Sequence, residues 1–342
     1  MQAVEDALDS AGLPLANLYN VATDGAAVMT GRHTGLVARL RQRVREAGSA
    51  TDVVGIHCII HREALCAKVV RLEHVMSVVV KTVNFIRVKG HGLNHSDFQT
   101  FLKDIEAEYS DVPYFTDVRW LSCGTVLQRF FSLRSEIGHF METKNMPVPE
   151  LSDESWVRDL AFFVDITQHL NALNMQLQGK GKLAPELYDT VNAFRTKLNL
   201  WKSQLESNQY VHFGSLQSVS ACDDPINNET DVQILSELDA EFERWFADVE
   251  PMMKLFEIFT APFGVKPADA PAELQMELID LQCDRLFKER YRMSDDLLTF
   301  YQALPKARFP TLHLTAARII SMFGTTYMCE QFLARPSALK KL

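Results

Sequence analysis

Four short stretches of this chain carry side chains whose type and spacing allow chemistry. Asp24 follows Leu18-Tyr19-Asn20-Val21-Ala22-Thr23, a run with the length and composition of a strand, and precedes Gly25, a turn signal. A carboxylate just past the carboxyl end of a parallel strand lies where open α/β sheets gather ligands, and it suits a hard divalent cation. The same residue can instead cap the turn. Cys58 and His61 form a C-x2-H pair, but zinc normally takes about four ligands. His91 and His95, at i and i+4, could in principle complete a site, but a local arrangement at the strand end or core packing of the thiol competes with a metal site. In Asp117-Val118-Arg119-Trp120 a guanidinium beside an indole suits a phosphate and a stacked base, the alternative being a buried Trp anchor next to a surface Arg. Glu330, within Tyr327-Met328-Cys329-Glu330-Gln331, is a lone carboxylate after an apolar helix. No GxSxG nucleophile turn and no GK[ST] phosphate loop is present.

The elements that must position these groups are legible from periodicity. A short acidic helix is expected over 2–11 and a strand over 18–23. A helix follows over 34–46, with Leu36, Leu40 and Val44 along one stripe, and then a strand over 52–58. Strand, helix and strand in so short a span predict parallel pairing. Leu65, Val69, Leu72, Met76, Val79, Val83 and Ile86 predict one long helix over 62–86 with a continuous buried seam. Helices are further expected over 98–109, 124–142, 155–177, 185–205, 231–259, 271–301 and 314–323, with linkers at 146–152, 207–228 and 261–270. The fold class is therefore α/β with predominantly helical content. A strand as apolar as 18–22 in a two-stranded sheet leaves a bare edge that a further strand or a partner is expected to cover.

Composition bounds the class. The chain has 342 residues, of which 47% are hydrophobic and 23% charged, which excludes collagenous, low-complexity and disordered chains. No apolar run approaches the ~18 residues of a bilayer span, so no membrane role is expected. The acidic first ten residues argue against a presequence. Six scattered cysteines without a CxxC pair predict thiols in a reducing compartment. The net charge of −9 opposes a globally basic nucleic-acid binder, with eleven acids against two bases over 222–257. Residues 31–45, however, hold five arginines and no acid, so phosphate contact is expected from Arg39, Arg41, Arg43 and Arg45.

In order along the chain, Thr23-Asp24-Gly25-Ala26-Ala27-Val28-Met29-Thr30-Gly31, Cys58-Ile59-Ile60-His61, Asp117-Val118-Arg119-Trp120-Leu121-Ser122 and Phe323-Gly324-Thr325-Thr326-Tyr327-Met328-Cys329-Glu330-Gln331 resemble the hAT transposase superfamily. The likeness is nearest to domesticated vertebrate members that carry general transcription factor II-I repeats or zinc-finger BED or SCAN domains. It implies an RNase H-like catalytic fold interrupted by a large all-α insertion. Read onto this chain, 1–145 is the partial RNase H-like region, 146–304 the helical insertion, and 305–342 the C-terminal return with a truncated dimerisation region. In active members three acids hold two divalent metals, Mg²⁺ or Mn²⁺, that drive phosphodiester chemistry. Asp24 matches the second acid and Glu330 the third, Cys58 and His61 match the near-site CxxH element, and Arg119 and Trp120 match the DNA-handling RW element. The first acid is expected upstream of residue 1, so the triad is incomplete within this chain and no stably bound cofactor is expected. The resemblance thus implies a nuclear, catalytically inactive DNA-associated or protein-interaction module, with DNA, protein partners or a homodimer as partners and no small-molecule substrate. The alternatives are a fragment of an active metal-dependent transposase and a helical protein-interaction scaffold.

Overall fold

A computed structural model describes residues 2–49, 52–70, 72–87, 93–113, 120–220, 228–294 and 296–326. Helix α1 (Gln2–Ser10) precedes strand β1 (Asn20–Thr23), and α2 (Ala27–Thr30) and α3 (Leu36–Glu46) lead to β2 (Val54–His57). Helices then follow without another strand among the described residues: α4 (Ile59–Cys66), α5 (Glu73–Arg87), α6 (Leu93–Asp104), α7 (Trp120–Ser132), α8 (Arg134–Thr143), α9 (Glu154–Leu177), α10 (Ala184–Glu206), α11 (Gly214–Val219), α12 (Glu229–Phe246), α13 (Glu250–Thr260), α14 (Ala272–Cys283), α15 (Arg285–Met293), α16 (Leu297–Gln302) and α17 (Pro310–Ile320). The chain is predominantly helical. The two strands pair in parallel, Asn20 opposite Val54 and Thr23 opposite His57, as the strand–helix–strand spacing requires. No helix among the described residues is long and apolar enough to cross a membrane.

Where the observed helices depart from the expected ones, the cause is local chemistry in two of the long stretches. The long helix expected over 62–86 is broken: α4 ends at Cys66, a 3₁₀ turn covers Ala67–Val70, and α5 begins at Glu73. β-Branching alone does not account for the break, since α5 runs unbroken through Val78-Val79-Val80. The interruption resets the phase, and the buried stripe of α5 is Val75, Val79, Val83 and Ile86. The stretch expected as one helix over 231–259 divides at Ala247–Val249, because Pro251 fits only the first turn of α13. The stretch over 271–301 becomes α14, α15 and α16. Asp284 accepts the Leu286 and Phe287 N–H groups to start α15, and Asp296 accepts the Thr299 N–H to start α16. In α3 the buried stripe is Val37, Leu40 and Val44, one position from the expected set at its start.

The chain divides into two compact units. The first comprises Met1–Arg62, Leu177–Val191 and Arg244–Leu342, and the second Glu63–Gln176 and Asn192–Glu243. In the first, Ile56 and Ile59 are buried at the sheet end, and Phe259 stacks on Tyr301, whose hydroxyl donates to the Phe259 carbonyl (2.9 Å). Glu277 on α14 accepts the Thr311 and Leu312 N–H groups (2.9 and 2.8 Å), closing the amino end of α17. In the second unit, Phe98 meets Phe140 edge-on, and Trp201 stacks on His169 and meets Phe194 edge-on. There Arg158, itself largely covered, reaches the buried Asp231, and Arg195 on α10 reaches Asp239 on α12 (2.9 Å). Each pair ties neighbouring helices by charge-assisted hydrogen bonds.

Candidate functional site

The carboxyl ends of β1 and β2 carry the residues singled out by chemistry. Past β1, Thr23 is buried and its hydroxyl accepts the Gly25 N–H (3.3 Å), while the exposed Asp24 accepts the Ala26 N–H (3.0 Å) on Oδ1. The Thr30 hydroxyl donates back to the Gly25 and Ala26 carbonyls (3.2 Å each). The loop is thus a set of Asx- and Ser/Thr-type turns, and Asp24 takes the capping role weighed for it. Gly25 is required twice over. Its φ of +79° is left-handed, and a Cβ there would lie 2.3 Å from the His57 ring.

His57 ends β2 beneath that loop. Among the described residues its buried Nε2 has no hydrogen-bond partner, and its ring meets Trp245 edge-on at 5.6 Å. Burial, then the positive charge of Arg62 and the nearby His61, hold its pKa below the ordinary value, so it is neutral at physiological pH. Cys58 and His61 part company. Cys58 is buried and its Sγ accepts the Thr326 N–H (3.3 Å), while His61 is exposed with its ring 5.1 Å from that of His57. The Ile59 N–H is accepted by Gly324 (3.0 Å), where a Cβ would lie 2.6 Å from Leu187. The segment leading toward Glu330 is therefore held against the end of β2 by backbone bonds and close packing.

Next to this pair sits a residue the motif reading did not single out. Arg62 is 3% exposed, its guanidinium donates to both oxygens of Asp248 (2.6 Å each) and to the Trp245 carbonyl (2.7 Å), and it lies 5.5 Å from the Phe246 ring. The buried Tyr188 closes the group, meeting Phe246 edge-on and stacking on Phe256. Its signal was the charged pair Arg62-Glu63 inside an otherwise apolar helix. Glu63, in the second unit, is fully buried, and its Oε2 accepts the Asn174 amide. Burial pushes its pKa up to about 7.

The remaining expected residues are distributed as follows. Arg41 Nε donates to the Val53 carbonyl (2.8 Å), Arg43 faces Glu5 (3.2 Å) and Glu46 (3.4 Å), and Arg45 faces Asp52 (2.7 Å). Arg39 is exposed. Trp120 opens α7, and Arg119, His91 and Glu330 lie outside the described residues. His95 does not face a metal partner: its Nε2 meets both Asp111 oxygens (3.0 and 2.9 Å), with Arg87 on the same carboxylate. Among the described residues no three His, Cys, Asp or Glu side chains lie together as a metal ion would need. The described part of the sheet edge therefore does not by itself make a divalent-metal centre. The second unit also holds a concavity of about 700 Å³ between α5, α8 and the turn at Pro149–Ser152, walled by Val78, Phe85, Met141, Met146 and Val148.

Comparison with known proteins gives this geometry a context. Residues 57–206 match the FAM200/GTF2IRD2 helical domain. The chain is 38% identical over 335 residues, 97% of its length, to the General transcription factor II-I repeat domain-containing protein 2 of Bos taurus, and 38% identical over 339 residues to the protein of that name from Mus musculus. It spans about a third of the length of these relatives, 34% and 36%. No solved structure matches. Over nearly its whole length, the chain is homologous to General transcription factor II-I repeat domain-containing protein 2.

Proposed function

We propose that this chain is a domesticated hAT transposase-like protein that no longer cuts DNA and acts in the nucleus as a DNA-associated or protein-interaction module. The observation that carries the reading is the ordered set of TDGAAVMTG, CIIH, DVRW and MCEQ, spread over a chain homologous from end to end to proteins named for general transcription factor II-I repeats. The parallel β1–β2 pair with Asp24 at its carboxyl edge is the arrangement an RNase H-like remnant would keep. Arg39, Arg119 and Trp120 are the residues offered for nucleic-acid contact, and Glu330 with Asp24 for a vestigial Mg²⁺ or Mn²⁺ site.

A strand-cleavage assay on supercoiled and linear DNA with Mg²⁺ or Mn²⁺, run beside Asp24→Asn, tests this. No cleavage above the Asp24→Asn background is expected. Robust metal-dependent cleavage that Asp24→Asn abolishes would sink the reading in favour of an active transposase. The 700 Å³ concavity favours the protein-interaction branch, because Val, Phe and Met walls suit an apolar peptide side. Pull-down against Met146→Asp, at an exposed wall residue, tests that branch, with loss of the captured partner expected while the thermal melt is unchanged.

A further inference from the structure

We propose that α15 is a docking face for the phosphate backbone of duplex DNA, an inference that rests on the DNA-associated reading and names the surface responsible. Helix α15 reads Arg-Leu-Phe-Lys-Glu-Arg-Tyr-Arg-Met, four cations and one acid in nine residues of a chain whose net charge is −9. At about 100° per residue, Arg285, Lys288 and Arg292 fall within roughly 60° of one another on the helix wheel. They form a row about 10 Å long, from the rise of about 1.5 Å per residue.

The opposite face fixes this row outward. Phe287 is buried and meets Phe309 edge-on at 5.5 Å. Tyr291 packs against Phe263 and Phe300, and its hydroxyl donates to the Thr260 carbonyl. Asp284 caps the helix and also takes Arg308 (2.7 Å). The helix is thus held at its start and along its inner side, and the cations project into solvent.

These cations are available. Among the described residues, Arg285, Lys288 and Arg290 have no carboxylate within ion-pair distance, and Arg292 has only the exposed Glu289 (2.8 Å) on its own helix. An exposed i, i+3 pair is worth little and exchanges readily for a phosphate. A row of cations fixed at its backbone by the packed helix complements a periodic polyanion, and guanidinium groups fit phosphate oxygens bidentately. An acidic peptide is the competing occupant, since the exposed Leu286 and Met293 flank the row and would receive its apolar side chains.

The test is fluorescence anisotropy of a labelled 20-base-pair mixed-sequence duplex against the full chain over a salt series. Arg285→Gln/Lys288→Gln/Arg292→Gln is compared with Arg43→Gln/Arg45→Gln on α3. The α15 triple is expected to reduce the slope of log affinity against log salt by about three, roughly one per lost phosphate contact. The α3 pair is expected to change it by less than the α15 triple, since a phosphate must displace Glu5 and Glu46 from Arg43 and Asp52 from Arg45, whereas two of the three α15 cations have no carboxylate to give up among the described residues. Thermal melts of all forms should coincide, because every substituted side chain is exposed. A triple that keeps both affinity and slope overturns the α15 assignment. If the α3 pair then lowers the slope, the DNA-associated reading stands without α15. Equal affinity for polyglutamate, lost in the same triple, overturns the choice of nucleic acid in favour of an acidic polypeptide. No duplex binding by the unsubstituted chain at low salt overturns the DNA-associated reading itself along with this one.

Discussion

Two short cationic helices lie in the same unit of this protein, and they use their charge in opposite ways. Helix α3 carries Arg39, Arg41, Arg43 and Arg45, the densest arginine run in the chain, and three of the four are engaged by the fold. Glu5 comes from α1, and Asp52 and the Val53 carbonyl come from the approach to β2. Helix α15 has a sparser run, yet among the described residues its outward row meets no carboxylate beyond Glu289. Local composition therefore identifies where cations are, while the acids and carbonyls delivered by other segments determine which cations remain free for a partner. A charge run is a candidate binding surface only after its intramolecular partners have been subtracted.

If that contrast is right, the engaged cations report through stability and the free ones through binding. The largest stability effect is expected at Arg62, the most enclosed of the engaged cations. Among the described residues, Asp248→Ala leaves a guanidinium of 4% side-chain exposure with the Trp245 carbonyl as its one hydrogen-bond acceptor, and a loss of about 3 kcal/mol in urea unfolding is expected. A loss under about 1 kcal/mol would mean that water reaches Arg62 and that the contrast is one of degree.

The buried carboxylate Glu63 extends the same logic to acids. Its folded pKa of about 7 lies above the ordinary 4.5, so the folded state keeps a proton that the unfolded chain loses. Its contribution is fully present below pH ~4.5 and is lost as pH rises through about 7, by up to roughly 3 kcal/mol. Glu63→Gln should flatten that part of the profile. Unfolding midpoints of the two forms that run parallel between pH 4.5 and 8 would refute it.

Gly25→Ala comes next, at about 2 to 3 kcal/mol, from a left-handed φ and a Cβ driven into His57. Adding His57→Ala should recover the steric part, and a double variant no better than the single would show that the backbone conformation alone sets the cost. The smallest effect is expected for Arg45→Gln, under about 0.5 kcal/mol, because its pair with Asp52 is exposed on both sides. A larger loss would show that α3 arginines support the fold more than surface pairs do.

Much of the scaffold was legible in the sequence. The parallel β1–β2 unit, the helical remainder and the starts of α9 and α10 follow from apolar periodicity and from Gly and Pro positions, whereas α17 begins at Pro310, before the expected Leu314. The divisions of two of the long helical stretches were also encoded, in Pro251, Asp284 and Asp296, but these are single-residue signals set against many residues of unbroken periodicity. At the candidate site, Asp24 was found by its place after a strand. The separation of Cys58 from His61 was not, since a C-x2-H spacing leaves open which side chain enters the core. Arg62 escaped notice because its partners lie some 183 and 186 residues away.

What the sequence by itself determined is local: strand against helix, the turn that requires Gly25, the capping aspartates, and the presence of cations on α3 and α15. These depend on backbone sterics and on neighbours within a few residues, which the linear order already contains. Only the tertiary structure decided that Arg62 grips Asp248, that Glu63 is sealed from water, and that three of the four α3 arginines are engaged by other segments while, among the described residues, the α15 row meets only Glu289. Those outcomes depend on burial and on partners far along the chain, and desolvation and ion pairing are properties of the surroundings of a group rather than of its place in the sequence.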